Sequence, residues 1–301
     1  MSVLVVGSVA FDSVETPFGK HRDLLGGSAS YFSISASYFT KVRMVAVVGK
    51  DFPRKHIDLF KKYGIDTGGL QVVHGKTFRW EGRYEHDMNA AETIATHLNV
   101  FRTFSPDIPR RYRDTRNIFL ANIDPDIQFD ILKQVRSPRL VASDTMNFWI
   151  DNKKRELTRL LKSKKIDLFL LNDAEARQFS GEVNLLRAAR YILSLGPKMV
   201  IIKKGEHGSL FFSRKTAFSV PGLPLETICD PTGAGDTFAG GVMGYLSRFK
   251  NIDDAKVKRA IIYGSIMASF NVGRFSLKGL LGLNKQLIDK RYKSFKELTR
   301  F

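Results

Sequence analysis

The sequence predicts an α/β fold in which a mostly parallel sheet is layered with helices and carries a small β flap. Three observations predict it. Short β-branched apolar runs recur along the chain, helix-length amphipathic segments separate several of them, and one stretch breaks that alternation.

The runs Leu4–Val9, Met44–Val48, Ile118–Ile123, Leu140–Ser143, Leu168–Leu171, Met199–Lys203 and Leu210–Phe212 read as strands. Pro125–Arg136, Trp149–Lys162 and Leu185–Leu195 have the apolar spacing of helices packed on a sheet. The exception is Leu70–Phe101, where Phe78-Arg79-Trp80 and Arg83-Tyr84-Glu85 are short strand-like pieces separated around Gly82 and followed by a polar stretch. With Ser13–Leu25 it forms the expected flap. The last sixty residues read as largely helical.

At 301 residues and 43% hydrophobic, the chain is long enough for one large α/β domain, or one with a small appendage, and its composition disfavours disorder. Its longest apolar runs fall far short of the ~20 residues of a membrane helix, and no charged-then-apolar leader opens it, so the expectation is a cytoplasmic protein with no membrane partner. The single Cys229 excludes an internal disulfide and a thiolate metal site, and reads as a small buried residue. None of the six histidines forms a His-x-x-x-His pair, which disfavours a zinc enzyme. The formal charge of +18 points by itself to nucleic acid or an acidic surface. Its carriers are dispersed in pairs and triplets such as Lys61-Lys62 and Lys153-Lys154-Arg155, so a solvated basic surface is the favoured reading and nucleic acid a disfavoured partner.

The most informative stretch runs from Asp230 to Gly241, Asp-Pro-Thr-Gly-Ala-Gly-Asp-Thr-Phe-Ala-Gly-Gly. Thr227-Ile228 leads into it, and Phe238, Val242, Met243 and Leu246 recur behind it at helical spacing, so Gly233–Gly235 should open a helix. Backbone N–H groups at a helix start suit a developing phosphate charge, and Asp236 in the first turn can accept a hydroxyl proton. The plainer reading is that Asp230 and Asp236 cap a buried glycine-rich helix. Two better-known glycine motifs are absent: Phe238 stands where G-x-G-x-x-G needs its last glycine, and Leu70 where a P-loop ending at Gly75-Lys76-Thr77 needs its first.

This stretch resembles the C-terminal signature of the PfkB, or ribokinase-like, family of carbohydrate and nucleoside kinases. Three further landmarks stand in the family's order. Gly7–Asp12 and then Gly26-Gly27, opening the helix Ser28–Phe39, resemble its N-terminal landmark. Asn172-Asp173-Ala174-Glu175 resembles its Asn-x-x-Glu, and Gly205–Gly208 its Gly-x-x-Gly nucleotide segment. The resemblance spans nearly the whole chain. It implies a three-layer α/β/α sandwich forming a single kinase domain over residues 1–301, with a β lid inserted at about 13–25 and 70–101, and transfer of the γ-phosphoryl group of ATP to an alcohol of a small sugar or polyol. Two rivals stand beside that reading: a nucleoside kinase of the same fold, and a non-catalytic sugar- or nucleic-acid-binding regulator.

What the resemblance implies for the site follows residue by residue. Asp236 is the base, and the amides of Gly233, Ala234 and Gly235 are the anion hole. Asn172 and Glu175 organise Mg²⁺ through water, although alone they read as a helix cap with an acid at its third position. Lys203, Gly205 and Gly208 lie on a nucleotide loop that otherwise reads as a hairpin, and Gly264 lies on a helix face beside adenine that equally serves helix packing. Asp12, Gly26 and Gly27 line the acceptor. Tyr31 stands where many relatives have an Asn that binds a sugar hydroxyl, which keeps a cyclitol or unusual sugar open. From the lid, Arg79 and Asn89 reach the substrate, with Phe78 and Trp80 either stacking on it or forming the lid's own core. Asp144 belongs to an Asp-x-Asn-like region whose spacing is one residue longer than the pattern. K⁺ is expected near Asp230, Thr232 and the loop Val272–Ser276, and a homodimer through the lid.

Overall fold

The computed structural model describes residues 1–300. Packing divides the chain into two compact units: Met1–Phe104 together with the chain from Leu223 onward, and Ser105–Gly222.

The first unit begins with β1 (Ser2–Val6), β2 (Ala10–Thr16), β3 (Gly19–Gly26) and α1 (Ser28–Ser37), followed by β4 (Lys41–Gly49), α2 (Arg54–Lys62), β5 (Ile65–Val73), β6 (Phe78–Tyr84) and β7 (Ala91–His97). β4 has β1 and β5 as parallel neighbours, and Val3–Val6 and Val45–Val48 are buried on both faces, as parallel strands covered by helices must be. A second, four-stranded sheet has the order β3-β2-β6-β7, with its middle pair parallel and the outer two antiparallel. It is built from the two segments expected to form the flap, except that Leu70–Val73 lies in β5 beside β4. Phe78–Tyr84 is one uninterrupted strand rather than two pieces. Gly82 leaves room for the Trp80 ring, which lies 2.1 Å from where a Cβ would stand.

In the second unit come β8 (Asn117–Leu120), α3 (Pro125–Gln134), β9 (Leu140–Ser143), α4 (Asn147–Asn152), α5 (Lys154–Lys162), β10 (Leu168–Asn172), α6 (Asp173–Ser180), α7 (Leu185–Leu195), β11 (Met199–Lys203), β12 (Ser209–Ser213) and β13 (Ala217–Val220). The strands lie in the order β13-β12-β11-β10-β9-β8, antiparallel over the first two pairings and parallel thereafter. The helix expected over Trp149–Lys162 is broken at Lys153. Its backbone leaves the helical region at φ −140°, and its ammonium meets Asp124 and Asp126 at 2.6 and 3.0 Å.

The first unit closes with α8 (Ala234–Leu246), α9 (Asp254–Asn271) and α10 (Lys285–Leu298), the helical ending the sequence predicts. α1 presents serines and alanines to α8. A Cβ on Gly240 would lie 2.5 Å from the Phe32 carbonyl oxygen, so glycine permits the close crossing that sets the start of α8. Cys229, expected to be buried, is partly exposed.

Candidate active site

In the first unit, the loop Cys229–Gly233 enters α8 with Gly233 as its N-cap in the left-handed region at φ +72°. That turn leaves the amides after Gly233 at the helix start, where the dipole favours an anion. Asp236 stands in the first turn, half-buried. Its charge is felt by Asp12, which lies on β2, so the two carboxylates share one neighbourhood.

Asp12 is 5% exposed and accepts a hydrogen bond from the Gly27 N–H. Burial, reinforced by the charges of Asp230 and Asp236, pushes its pKa up to about 7, against the lowering effect of the Gly27 bond. Gly26 is obligatory beside it, because a Cβ there would come within 1.8 Å of Asp12 Oδ2. Gly27, at φ +90°, caps α1 where a side chain would strike the Ser8 carbonyl.

Tyr31 on α1 is 1% exposed and lies under the Cys229–Gly233 loop: a Cβ on Gly233 would be 2.3 Å from its ring. Burial and the surrounding Asp12, Asp230 and Asp236 raise its pKa well above the ordinary phenol value, so it stays protonated.

The loop is latched from behind by residues that the motifs do not mark. Asp230 accepts the N–H of Thr232 at 2.9 Å and of Ser276 at 3.0 Å. Asn271 Nδ2 donates to the Thr232 carbonyl at 2.9 Å, and the N–H of Cys229 donates to the Val272 carbonyl at 2.7 Å. Two strands of the four-stranded sheet also reach it. Thr16 Oγ1 donates to the Cys229 carbonyl, and the Thr232 hydroxyl donates to Tyr84 at 3.4 Å. The resemblance places the loop Val272–Ser276 near Asp230 and Thr232, whereas no sequence signal marks Asn271, Thr16 or Tyr84 for this role. Of the main-chain oxygens near the expected K⁺ position, those of Thr232 and Val272 accept N–H donors. The Thr232 carbonyl keeps a second lone pair, whereas the Val272 carbonyl accepts the N–H of both Cys229 and Asp230, and no step is derived through potassium.

The remaining first-unit residues are placed as follows. Arg79 on β6 pairs with Asp23 and, at 3.1 Å, with Asp51, and its guanidinium lies 4.8 Å from the Phe11 ring centre. Asn89 is bonded to Asp87 in the β6–β7 turn. Phe78 stacks on Phe101 at 5.4 Å, within the protein. Gly264 lies where α9 crosses α8, 2.8 Å from Val242 by an added Cβ.

In the second unit, Asn172 and Glu175 form a complete capping box at the start of α6: Asn172 Oδ1 accepts the Glu175 N–H, and Glu175 Oε2 accepts the Asn172 N–H, each at 2.7 Å. The structure also joins two residues assigned separate roles by the sequence. Lys203, at the end of β11, bonds Asp144 Oδ2 at 2.9 Å just past β9, while Thr145 N–H caps Oδ1. Gly205 and Gly208, at φ +54° and +83°, turn β11 into β12 as the hairpin reading requires. A side chain on Gly208 would strike the Val220 carbonyl. Among the described residues, no three His, Cys, Asp or Glu side chains converge as a metal cage. No helix is long and apolar enough to cross a membrane.

Known proteins resemble this chain along most of its length. It is 28% identical to a cytidine kinase of Thermococcus kodakarensis over 258 residues, 84% of this chain and 91% of the relative. In structure it matches a Burkholderia thailandensis nucleoside kinase in complex with ADP-inosine, with a TM-score of 0.81 at 17% identity, covering 97% of this chain and 95% of that one. Aminoimidazole riboside kinase from Salmonella enterica, complexed with aminoimidazole riboside and an ATP analogue, matches with a TM-score of 0.79 at 18% identity over 97% and 100% of the two chains. These structural likenesses establish the ribokinase-like α/β fold. Residues 24–279 match the family described as pfkB family carbohydrate kinase, and the chain belongs to that family of nucleoside and sugar kinases.

Proposed function

We propose that this kinase transfers the γ-phosphoryl group of Mg·ATP to a hydroxyl of a nucleoside, with Asp236 as the base. The observation that carries the reading is the turn at Gly233, which opens α8 amides toward an anion and sets Asp236 one turn on, in the electrostatic neighbourhood of Asp12. Phosphoryl transfer asks for positioning, charge neutralisation and a proton acceptor, and those residues supply each. Asp12 accepts hydroxyl protons of the acceptor, Gly26 and Gly27 bring backbone beside it, and Tyr31 supports the loop from below. In the second unit, the Asn172–Glu175 cap and the Lys203–Gly208 loop hold the nucleotide. Magnesium keeps several waters and takes few protein ligands, so Glu175 at a helix start suits a water-bridged ion arriving with ATP.

A nucleoside acceptor is favoured by the cytidine kinase that matches along most of the chain. The second reading, a sugar or polyol acceptor, is favoured by the buried Asp12 and by Tyr31 in place of an amide. The four-stranded sheet serves as a lid that excludes water, and β7, exposed along nearly all its length, offers an edge to a second copy.

Turnover measured by ADP release with nucleosides, sugars and inositols tests the acceptor, and Asp236→Asn tests the base. The expected result is turnover with nucleosides that falls about 10²-fold or more in the variant while nucleotide still binds. Retention of more than about a tenth of kcat excludes Asp236 as the base.

A further inference from the structure

A cavity of about 390 Å³ lies in the first unit between the end of α9, the loop that follows it, and α10. Its wall carries Arg274, Lys278 and Arg291 and includes no Asp or Glu. None of the three cations has a carboxylate partner among the described residues. Arg291 is nevertheless held in place: its guanidinium lies 3.6 Å over the Phe270 ring, and Nη1 donates to Ser269 Oγ at 3.2 Å. Gly273 and Gly282 have room beside them, whereas Gly279 packs its backbone against the Phe270 carbonyl, 2.0 Å from an added Cβ.

Three cationic side chains line one cavity that has no carboxylate in its wall, Arg274 and Lys278 exposed at its rim and Arg291 half-buried, so the potential inside it favours an anion. A stacked, half-buried arginine has little rotamer freedom left to lose, and its planar fork matches the oxygens of a phosphate. We infer that this cavity binds a small phosphate-bearing anion, through residues other than the Gly233–Gly235 amides. The volume accommodates the phosphate and a small organic body. The site adjoins the machinery of transfer, because the same loop carries Ser276, whose N–H bonds Asp230 and whose hydroxyl donates to the Leu25 carbonyl of β3. A bound anion ties α9, this loop and α10 together and so steadies the latch behind the phosphoryl loop.

Calorimetric titration of the full chain, saturated with a non-hydrolysable Mg·ATP analogue, tests this with inorganic phosphate in one arm and ribose 5-phosphate in the other. Heat in both arms assigns the site to the phosphate group; heat with ribose 5-phosphate alone assigns it to the ester. In either case Lys278→Gln/Arg291→Gln is expected to raise Kd about a hundredfold, since each charge-assisted bond lost counts for about tenfold or more. Kinase turnover without added phosphate should be unchanged, which also reports that the variant folds. Should it fail to fold, the exposed Lys278→Gln alone is expected to raise Kd about tenfold. Equal Kd values in parent and variant, or no heat in either arm, overturn the inference. The readout is binding, so it stands or falls apart from the identity of the acceptor.

Discussion

Asp12→Asn should make the protein more stable in alkaline solution while impairing it as a kinase. Burial, with the nearby Asp230 and Asp236, moves the Asp12 pKa from an ordinary 3.8 to about 7. The folded chain therefore keeps this proton until about pH 7, whereas the unfolded chain releases it near pH 4. Between those limits the folded state binds more protons, so stability falls as pH rises through the window and stays low above it. A displacement of about three units at ~1.36 kcal/mol each is a loss of about 4 kcal/mol. Asn keeps an oxygen for the Gly27 N–H but cannot ionise. Urea unfolding of parent and variant should therefore give matching stabilities near pH 4 and a variant advantage of up to about 4 kcal/mol near pH 8.5. kcat/KM for the acceptor should fall about tenfold or more, because an amide accepts hydroxyl protons less well than a carboxylate. A variant no more stable than the parent at alkaline pH, or an advantage that persists in acid, refutes the burial of an ionisable Asp12 carboxyl beside Gly27.

The other predictions concern the support of the site. Gly233→Ala forces a side chain into the left-handed region and onto the Tyr31 ring, and should cost about 2–4 kcal/mol in thermal unfolding along with most turnover; a stable, active variant would exclude the tight turn. Asn172→Ala removes one cap bond of α6, with an expected loss of about 1 kcal/mol in urea unfolding and a higher KM for Mg·ATP. Lys203→Met leaves Asp144 buried without its cation and should cost about 3–5 kcal/mol, of which Lys203→Met/Asp144→Asn recovers more than half. If the double variant is no more stable than the single one, the pair is not the source of the loss.

Much of the architecture was legible in local pattern. Leu140–Ser143, Met199–Lys203 and Leu185–Leu195 emerge with the boundaries their periodicity predicts, and Gly233 opens α8 as its spacing demands. Where the reading missed, an interaction with a distant residue had overridden local preference. The expected helix over Trp149–Lys162 breaks at Lys153, whose ammonium meets Asp124 and Asp126, Phe78–Tyr84 is held as one strand by its parallel pairing with β2, and Leu70–Val73 joins β5 beside β4. The motif residues stood out, but the groups that hold them did not. Asn271, Thr16 and Tyr84 belong to no short pattern, and each meets the Cys229–Gly233 loop from far along the chain.

Periodicity and turn formation depend on neighbours a few residues apart, so the layered α/β class, the family resemblance and the Gly-Ala-Gly-Asp turn were readable in local pattern. Folding alone buries Asp12 beside Gly27, sets Tyr31 beneath Gly233 rather than open to a ligand, and matches Lys203 to Asp144. Desolvation and ion pairing are properties of an enclosure, and the walls of that enclosure come from segments that meet only when the chain is folded.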